Sequence, residues 1–312
     1  NWWMDYGGGP PSDEKYFFVR NAEAGYTFYE RGIVNGERKR DFIDAGEARP
    51  TGALIYYLLR EDAKEISLSI LDENGNVIRT FTQDEIPTQR FLSFDNRGYE
   101  QDLVTGEPKA TVSKGLNRFI WDMRYPMVSA IPGVPPVMIK PIAKPGTYQV
   151  RLTVDGKSQT ESFELKLNPN ESYTLAQIES KAEAWMALYA KAEEGVQTVL
   201  KAQAAQAEAA KIIESGDASA ELKAQAEAVN QLSADFIKSM LATGRTLVQI
   251  ISEPTRPMSK LVTLHNIMEH SEGPPNQPWL QVYEKTAAEI DARIAEFNLA
   301  LASEVEKLEA LN

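Results

Sequence analysis

The sequence predicts an α+β chain in two blocks, an antiparallel β-sandwich followed by an antiparallel helical bundle of three to four helices. Three observations carry that expectation. Of the 19 glycines and 17 prolines, 27 lie before Ser172 and only nine from there on. Alanine shows the opposite trend, with 12 between Ser172 and Ser215. Turn formers concentrate where a chain reverses often, whereas Ala-rich, Pro-free stretches favour helix. Apolar residues alternate with period two in the first half and with 4,3 spacing in the second. The chain therefore reads as an aromatic-rich segment or linker over 1–45, the sandwich over 46–169 and the bundle over 170–312.

The strand elements follow in order. Ala53 to Leu59 is an apolar run of strand length, and Ile66, Leu68 and Ile70 then alternate with Ser67, Ser69 and Leu71. Asp72-Glu73-Asn74-Gly75-Asn76 supplies a hairpin turn, with Asn74-Gly75 suited to positive φ, and Val77–Phe81 returns. Gly115–Asp122 is the next strand, followed by a Pro-rich crossover through Pro132, Pro135, Pro136 and Pro141. Pro145-Gly146-Thr147-Tyr148 opens a strand to Val154, and Asp155-Gly156 turns it into Ser158–Leu167. Short strands punctuated by turns at this spacing point to an antiparallel sandwich.

The helices show narrow apolar seams. Ile178, Ala182, Trp185, Tyr189, Ala192, Val196 and Val199 form one, and Tyr283, Ala287, Ile290, Ile294, Phe297 and Leu301 another. Leu222, Val229, Leu232 and Phe236 keep the same stripe between them. Such seams suit long antiparallel helices packed at shallow angles. Ser215-Gly216-Asp217 closes the first helix, Pro257 opens a short one around Leu261, Leu264 and Met268, and Gly273-Pro274-Pro275 precedes the last.

Composition narrows the partners. A length of 312 residues allows two domains, each able to bury a core, and 43% apolar with 25% charged residues is ordinary globular composition. The formal net charge of −12 repels a phosphate backbone or an anionic membrane surface, so no nucleic acid partner is expected. Without cysteine there is no disulfide framework, thiolate nucleophile or sulfur-ligated metal. The apolar run Ala53–Leu59 is too short to cross a bilayer, so no membrane insertion is expected. The start at Asn1, with no basic-then-apolar signal segment, reads as a processed or cut chain.

The first 45 residues hold ten aromatics, Trp2, Trp3 and Tyr26 among them, around the spacer Gly7-Gly8-Gly9-Pro10-Pro11. Aromatics bring the largest burial per residue, so packing against a neighbouring domain is one reading. A sugar-stacking platform is the other. Trp2, Trp3 and Tyr26 are therefore the candidate contacts with a partner or a glycan.

Other candidates for chemistry are sparse. His265 and His270, the only histidines, are five apart and do not share a helix face as an i, i+4 metal pair does, so they read as surface or helix-end residues. No Gly-x-Ser-x-Gly elbow accompanies them. Gly7-Gly8-Gly9 lacks the Lys-Ser/Thr of a phosphate loop. Asp122 and Glu107 could form a carboxylate pair, but Asp122 reads better as a strand-end residue. Asp72, Glu73, Asn74 and Asn76 resemble half a calcium loop without its closing Glu. Trp121 reads as a core anchor, and Trp185, Tyr189 and Phe297 as helix core. No catalytic, cofactor-binding or metal-ligating residue is assigned, and no cofactor.

Two resemblances rest on these motifs. Ile66–Phe81, then Lys114-Gly115-Leu116-Asn117-Arg118-Phe119-Ile120-Trp121-Asp122, then Lys144–Gly156 resemble the immunoglobulin-like module of flagellar hook-capping proteins and bacterial secretion-tail domains. The resemblance makes the expected sandwich Ig-like. More broadly, Arg49–Leu59, these strands and the helical tail Leu261–Asn312 resemble the C-terminal third of exported bacterial proteins with a sortilin-type β-propeller, often labelled BNR-repeat glycosyl hydrolases. No repeated Asp-box or blade period occurs in this sequence, so the resemblance implies a propeller before Asn1. It implies an extracytoplasmic, non-catalytic accessory region that docks on a propeller or another protein. Part of a glycoside hydrolase, or a glycan-binding module, are the alternatives.

Overall fold

The computed structural model describes residues 52–84, 108–134, 137–167, 172–242, 255–271 and 273–311, and the backbone of short strands at 16–17, 29–34, 37–42, 90–94 and 100–104. It is α+β, with antiparallel sheets and, among the described residues, four helices. The chain divides into two compact units. The first comprises Asn1–Tyr125 and Ile142–Leu175, the second Pro126–Pro141 and Ala176–Asn312.

In the first unit, chain order gives β1 (Tyr16–Phe17), β2 (Tyr29–Val34), β3 (Glu37–Phe42), β4 (Ala53–Leu59), β5 (Ile66–Leu71) and β6 (Val77–Thr82). Then follow β7 (Arg90–Phe94), β8 (Glu100–Val104), β9 (Gly115–Trp121), β10 (Gly146–Val154) and β11 (Lys157–Leu165). Strands β11, β10, β5 and β6 form one antiparallel sheet, and β1 runs parallel beside the end of β11. β4 and β9 form a second antiparallel sheet, and β2–β3 and β7–β8 are separate hairpins. The β2–β3 hairpin falls in the segment read from sequence as aromatic-rich linker. Its register, Val34 opposite Glu37, leaves a two-residue Asn35-Gly36 connection, the strongest short hairpin signal in any sequence.

Period-two patterning explains which faces are buried. Ile66, Leu68 and Ile70 of β5 are at most 1% exposed, while Ser67 and Ser69 point away. Leu71 breaks the alternation and is buried too, because the pairing with β6 shifts register between Ile70 and Leu71. Ala53, Ile55, Tyr57 and Leu59 of β4, Phe119 and Trp121 of β9, and Phe81, Tyr148, Phe163 and Leu165 join β5 in one apolar cluster. Both sheets thus bury one face in the same core. Trp121 is fully buried, meets Tyr148 and Phe163 edge-on at 5.7 and 6.2 Å, and donates its indole N–H to the Arg124 carbonyl at 3.2 Å.

The turns fall where the sequence puts them, although of the Asn74-Gly75 pair only the glycine takes a positive φ. Gly75 takes φ 83°, and Asp155 and Gly156 take 48° and 80°, the paired positive values of a type I′ hairpin between β10 and β11. Asp155 also accepts from the Lys64 and Glu65 amides at 3.0 and 2.9 Å, fastening that turn to the β4–β5 connection.

In the second unit the helices are α1 (Leu175–Glu214), α2 (Ala220–Met240), α3 (Pro257–His270) and α4 (Gln277–Glu309). Three of these starts have a visible physical cause. The Ser219 hydroxyl accepts from the Leu222 amide, Pro257 occupies the first turn of α3, and Asn276 accepts from the Trp279 amide at 2.9 Å. The 40 residues of α1 contain one glycine, Gly195, where an added Cβ would lie 2.9 Å from Met258 Sδ and 3.3 Å from Met240 Cε. That absence of a side chain lets the end of α2 and the start of α3 press against the middle of α1. The helices share a core in which Phe236 of α2 stacks on Phe297 of α4 at 4.2 Å. Polar ties set their register: Lys191 to Asp291, Lys201 to Asn298, Gln225 to Glu304 and Lys260 to Glu289.

Candidate functional site

Among the described residues, the most buried titratable side chain is on α3. Leu261, Leu264 and Met268 form its apolar stripe, and His265, one position after Leu264, is buried with them at 2% exposure. It is therefore not a surface residue, as the sequence reading had it. Trp185 of α1 donates its indole N–H to His265 Nδ1 at 2.6 Å. An indole N–H can only donate, so Nδ1 accepts and the ring's proton sits on Nε2, 3.5 Å from Glu269 Oε2 one turn on. The Lys181 ammonium lies 5.5 Å over the Trp185 ring and donates to the Ser271 carbonyl. Trp279 of α4 donates its own indole N–H to the Leu264 carbonyl at 3.0 Å. Two tryptophans from two helices thus fasten consecutive residues of α3.

Chemically this is a histidine–carboxylate pair with both ring nitrogens facing groups of the chain itself. Trp185 takes Nδ1, Glu269 lies beside Nε2, the nitrogen a serine faces in a hydrolase, and burial keeps substrate away. Its role is structural, with a measurable consequence. His265→Leu removes the acceptor and strands the Trp185 N–H in the core, an expected cost of about 1–3 kcal/mol. Adding Trp185→Phe removes the orphan donor, so the double variant should lose less than the sum, which urea denaturation of the four chains measures. His270, the last residue of α3, is exposed, and its Nδ1 lies 2.7 Å from the Asn266 carbonyl.

A second enclosed carboxylate is Glu193 on α1. It accepts from the Ser129 amide at 2.9 Å, the Ser129 hydroxyl at 2.6 Å and the Gln197 amide group at 2.6 Å. Partial burial raises its pKa, but the three donors outweigh that and hold it below the usual Glu range. A depressed carboxyl stabilises the fold above its unfolded pKa, and that contribution is lost as pH falls through the folded one. Protection of the Ser129 amide against hydrogen exchange should therefore fall as pH drops below about 4.3. Glu193→Gln should abolish that pH dependence.

The other carboxylates are committed to local structure. Asp72 accepts from the Asn74 and Asn76 amides at 2.9 and 2.8 Å and from the Asn76 side chain at 2.9 Å. The Asn76 side-chain bond above all lowers its pKa. The half calcium loop is thus a hairpin turn whose carboxylate is spent on its own backbone. Asp122 closes β9 as a strand-end residue, accepting from the Arg124 amide at 3.2 Å and pairing with buried Arg79 at 3.3 Å. Glu107, its possible partner, lies outside the described residues, as do Gly7-Gly8-Gly9. No cluster of three or more His, Asp or Glu side chains among the described residues could hold a metal ion.

Of the aromatic candidates, Trp121, Trp185 and Phe297 are core residues at 0%, 4% and 2% exposure. Tyr189 is half-buried beside Glu193, where burial and then that carboxylate raise its pKa. Trp2, Trp3 and Tyr26 lie outside the described residues. Sequence reasoning missed a surface feature on the β4–β9 sheet. Leu58 and Leu116, 68% and 72% exposed, face each other across the strands, with half-exposed Tyr56 two residues along the same face. The signal was available: Tyr56 and Leu58 fall on the solvent phase of the Ala53–Leu59 run. No described helix is long and apolar enough to cross a membrane. Compared with protein-family models and with curated proteins, the chain matches none.

Proposed function

We propose that this chain is a non-catalytic structural or interaction module. In this reading an Ig-like sandwich joins a helical bundle as the C-terminal accessory region of an exported bacterial β-propeller protein. The observation that carries the reading is the use of four polar groups that could have served chemistry: His265, Glu193, Asp72 and Asp122 are all engaged by their own chain. Reactive groups need a free face toward substrate, and these four spend theirs on turns and helix contacts. The single apolar core shared by β4–β9 and the four-stranded sheet supports the sandwich, and the interhelical ties support the bundle. The exposed Leu58–Leu116 pair supports a role in contacting another macromolecule, since adjacent large apolar side chains on a sheet face favour association.

Glycan binding through Trp2, Trp3 and Tyr26 is the competing use, and a glycan array separates the two. Module behaviour predicts no signal that Trp2→Ala, Trp3→Ala and Tyr26→Ala together remove. A saccharide signal lost in that triple variant, with its thermal melt unchanged, replaces this reading by a glycan-binding one.

A further inference from the structure

The chain between β9 and β10 is a single irregular hairpin whose base and arm belong to different units. At the base, the Ala143 amide donates to the Met123 carbonyl at 2.7 Å, and Arg124 bridges to Ile142. Both rungs lie in the first unit. Further out, the Val128 amide donates to the Ile139 carbonyl, and a turn at Gly133 (φ 76°) carries the Val134 amide to the Ile131 carbonyl. These residues belong to the helical unit. Val128, Ile131, Val137 and Ile139 are all at most 6% exposed. Glu193 takes both donors of Ser129, and Gln203 of α1 donates to the Pro132 carbonyl at 3.1 Å. An irregular, Pro-containing segment ordinarily stays on the surface; this one buries four large side chains while Pro132 and Gly133 stay exposed.

We propose that the Pro126–Pro141 arm couples the stability of the two units, so that the helical unit cannot open without loosening the β unit. The helical unit is discontinuous and lacks part of its core without the arm. Conversely, a docked arm holds Tyr125 and Ile142 together, closing in advance the loop that pairing β10 with its neighbours would otherwise have to close. Loss of arm docking therefore returns that loop entropy to the opened β unit.

Hydrogen exchange on the full chain tests this. Ile139→Ala deletes buried atoms from the arm and should speed exchange of the protected α1 amides around Ala192–Ala202 by at least about tenfold. Coupling predicts that the β5 and β10 amides, such as Leu68 and Leu152, speed up by the same factor. Acceleration confined to the helices overturns the proposal. Glu193→Gln, a milder change, is read in the same way if Ile139→Ala does not fold. As the specific control, four-residue Gly-Ser insertions after Tyr125 and after Pro141 slacken the base while leaving the arm sequence intact. In that background Ile139→Ala should accelerate only the helical amides; persistence of equal acceleration in both units overturns the arm as the link.

Discussion

Gly52→Ala is expected to lower the stability of the β unit by about 3–5 kcal/mol, although it adds one methyl group. Gly52 immediately precedes β4 and has φ 143°, a conformation L side chains rarely adopt. An added Cβ would also lie 2.4 Å from the Trp121 carbonyl oxygen and 2.8 Å from Ile120 Cγ2. The carbonyl cannot step aside, because Trp121 is paired with Ala53 in the β4–β9 register and its side chain is fully buried. Backbone strain and a backbone clash therefore add. Chemical denaturation is the measurement, with Gly75→Ala as the comparison: at φ 83° it suffers strain, but an added Cβ there meets nothing within 4 Å. Gly52→Ala should cost clearly more.

Trp121→Ala should cost a similar amount, about 3–5 kcal/mol, for a different reason. The indole is the largest fully buried side chain among the described residues, touching Tyr148 and Phe163 edge-on. Removing it leaves a cavity between the sheets and frees the Arg124 carbonyl. Trp121→Phe retains part of the volume and should recover part of the loss, separating the cavity from the hydrogen bond. Domains are stable by only about 5–15 kcal/mol, so either alanine variant should show a large downward shift in its melting temperature. Because Gly52 lies against the Trp121 backbone, the two losses should not add, and the double variant should be less destabilised than the sum.

Local rules made much of this architecture readable. The alternation of Ile66, Leu68 and Ile70, the Asn74-Gly75 and Asp155-Gly156 turns, and the 4,3 seams of α1 and α4 are properties of neighbouring residues. Each appears where the period puts it. Trp121 was readable as a core anchor because a tryptophan inside an alternating strand has one face to bury. The unreadable features are long-range. Glu193 meets Ser129 across 64 residues, and Trp185 meets His265 across 80. Nothing in either local sequence names its partner. The membership of Pro126–Pro141 in the helical unit is of the same kind, since its prolines signal only a crossover. Nothing in the sequence around Gly52 signals the approach of the Trp121 carbonyl. Two signals were legible but unread: the Asn35-Gly36 pair between β2 and β3, and the place of His265 beside Leu264 on the Leu261, Leu264, Met268 stripe.

The same contrast bears on function. Four groups that could have been read as chemistry, His265, Glu193, Asp72 and Asp122, resolve into structural ties once their partners are in view. The most direct test of a non-catalytic role is a hydrolysis assay of the purified chain over a broad panel of chromogenic glycosides. It is run beside His265→Leu, Glu193→Gln and Asp122→Asn, with circular dichroism to confirm that each variant remains folded. The account predicts no turnover above that of a denatured control for any of the four proteins. Turnover by the native chain that one of these folded variants abolishes would contradict it.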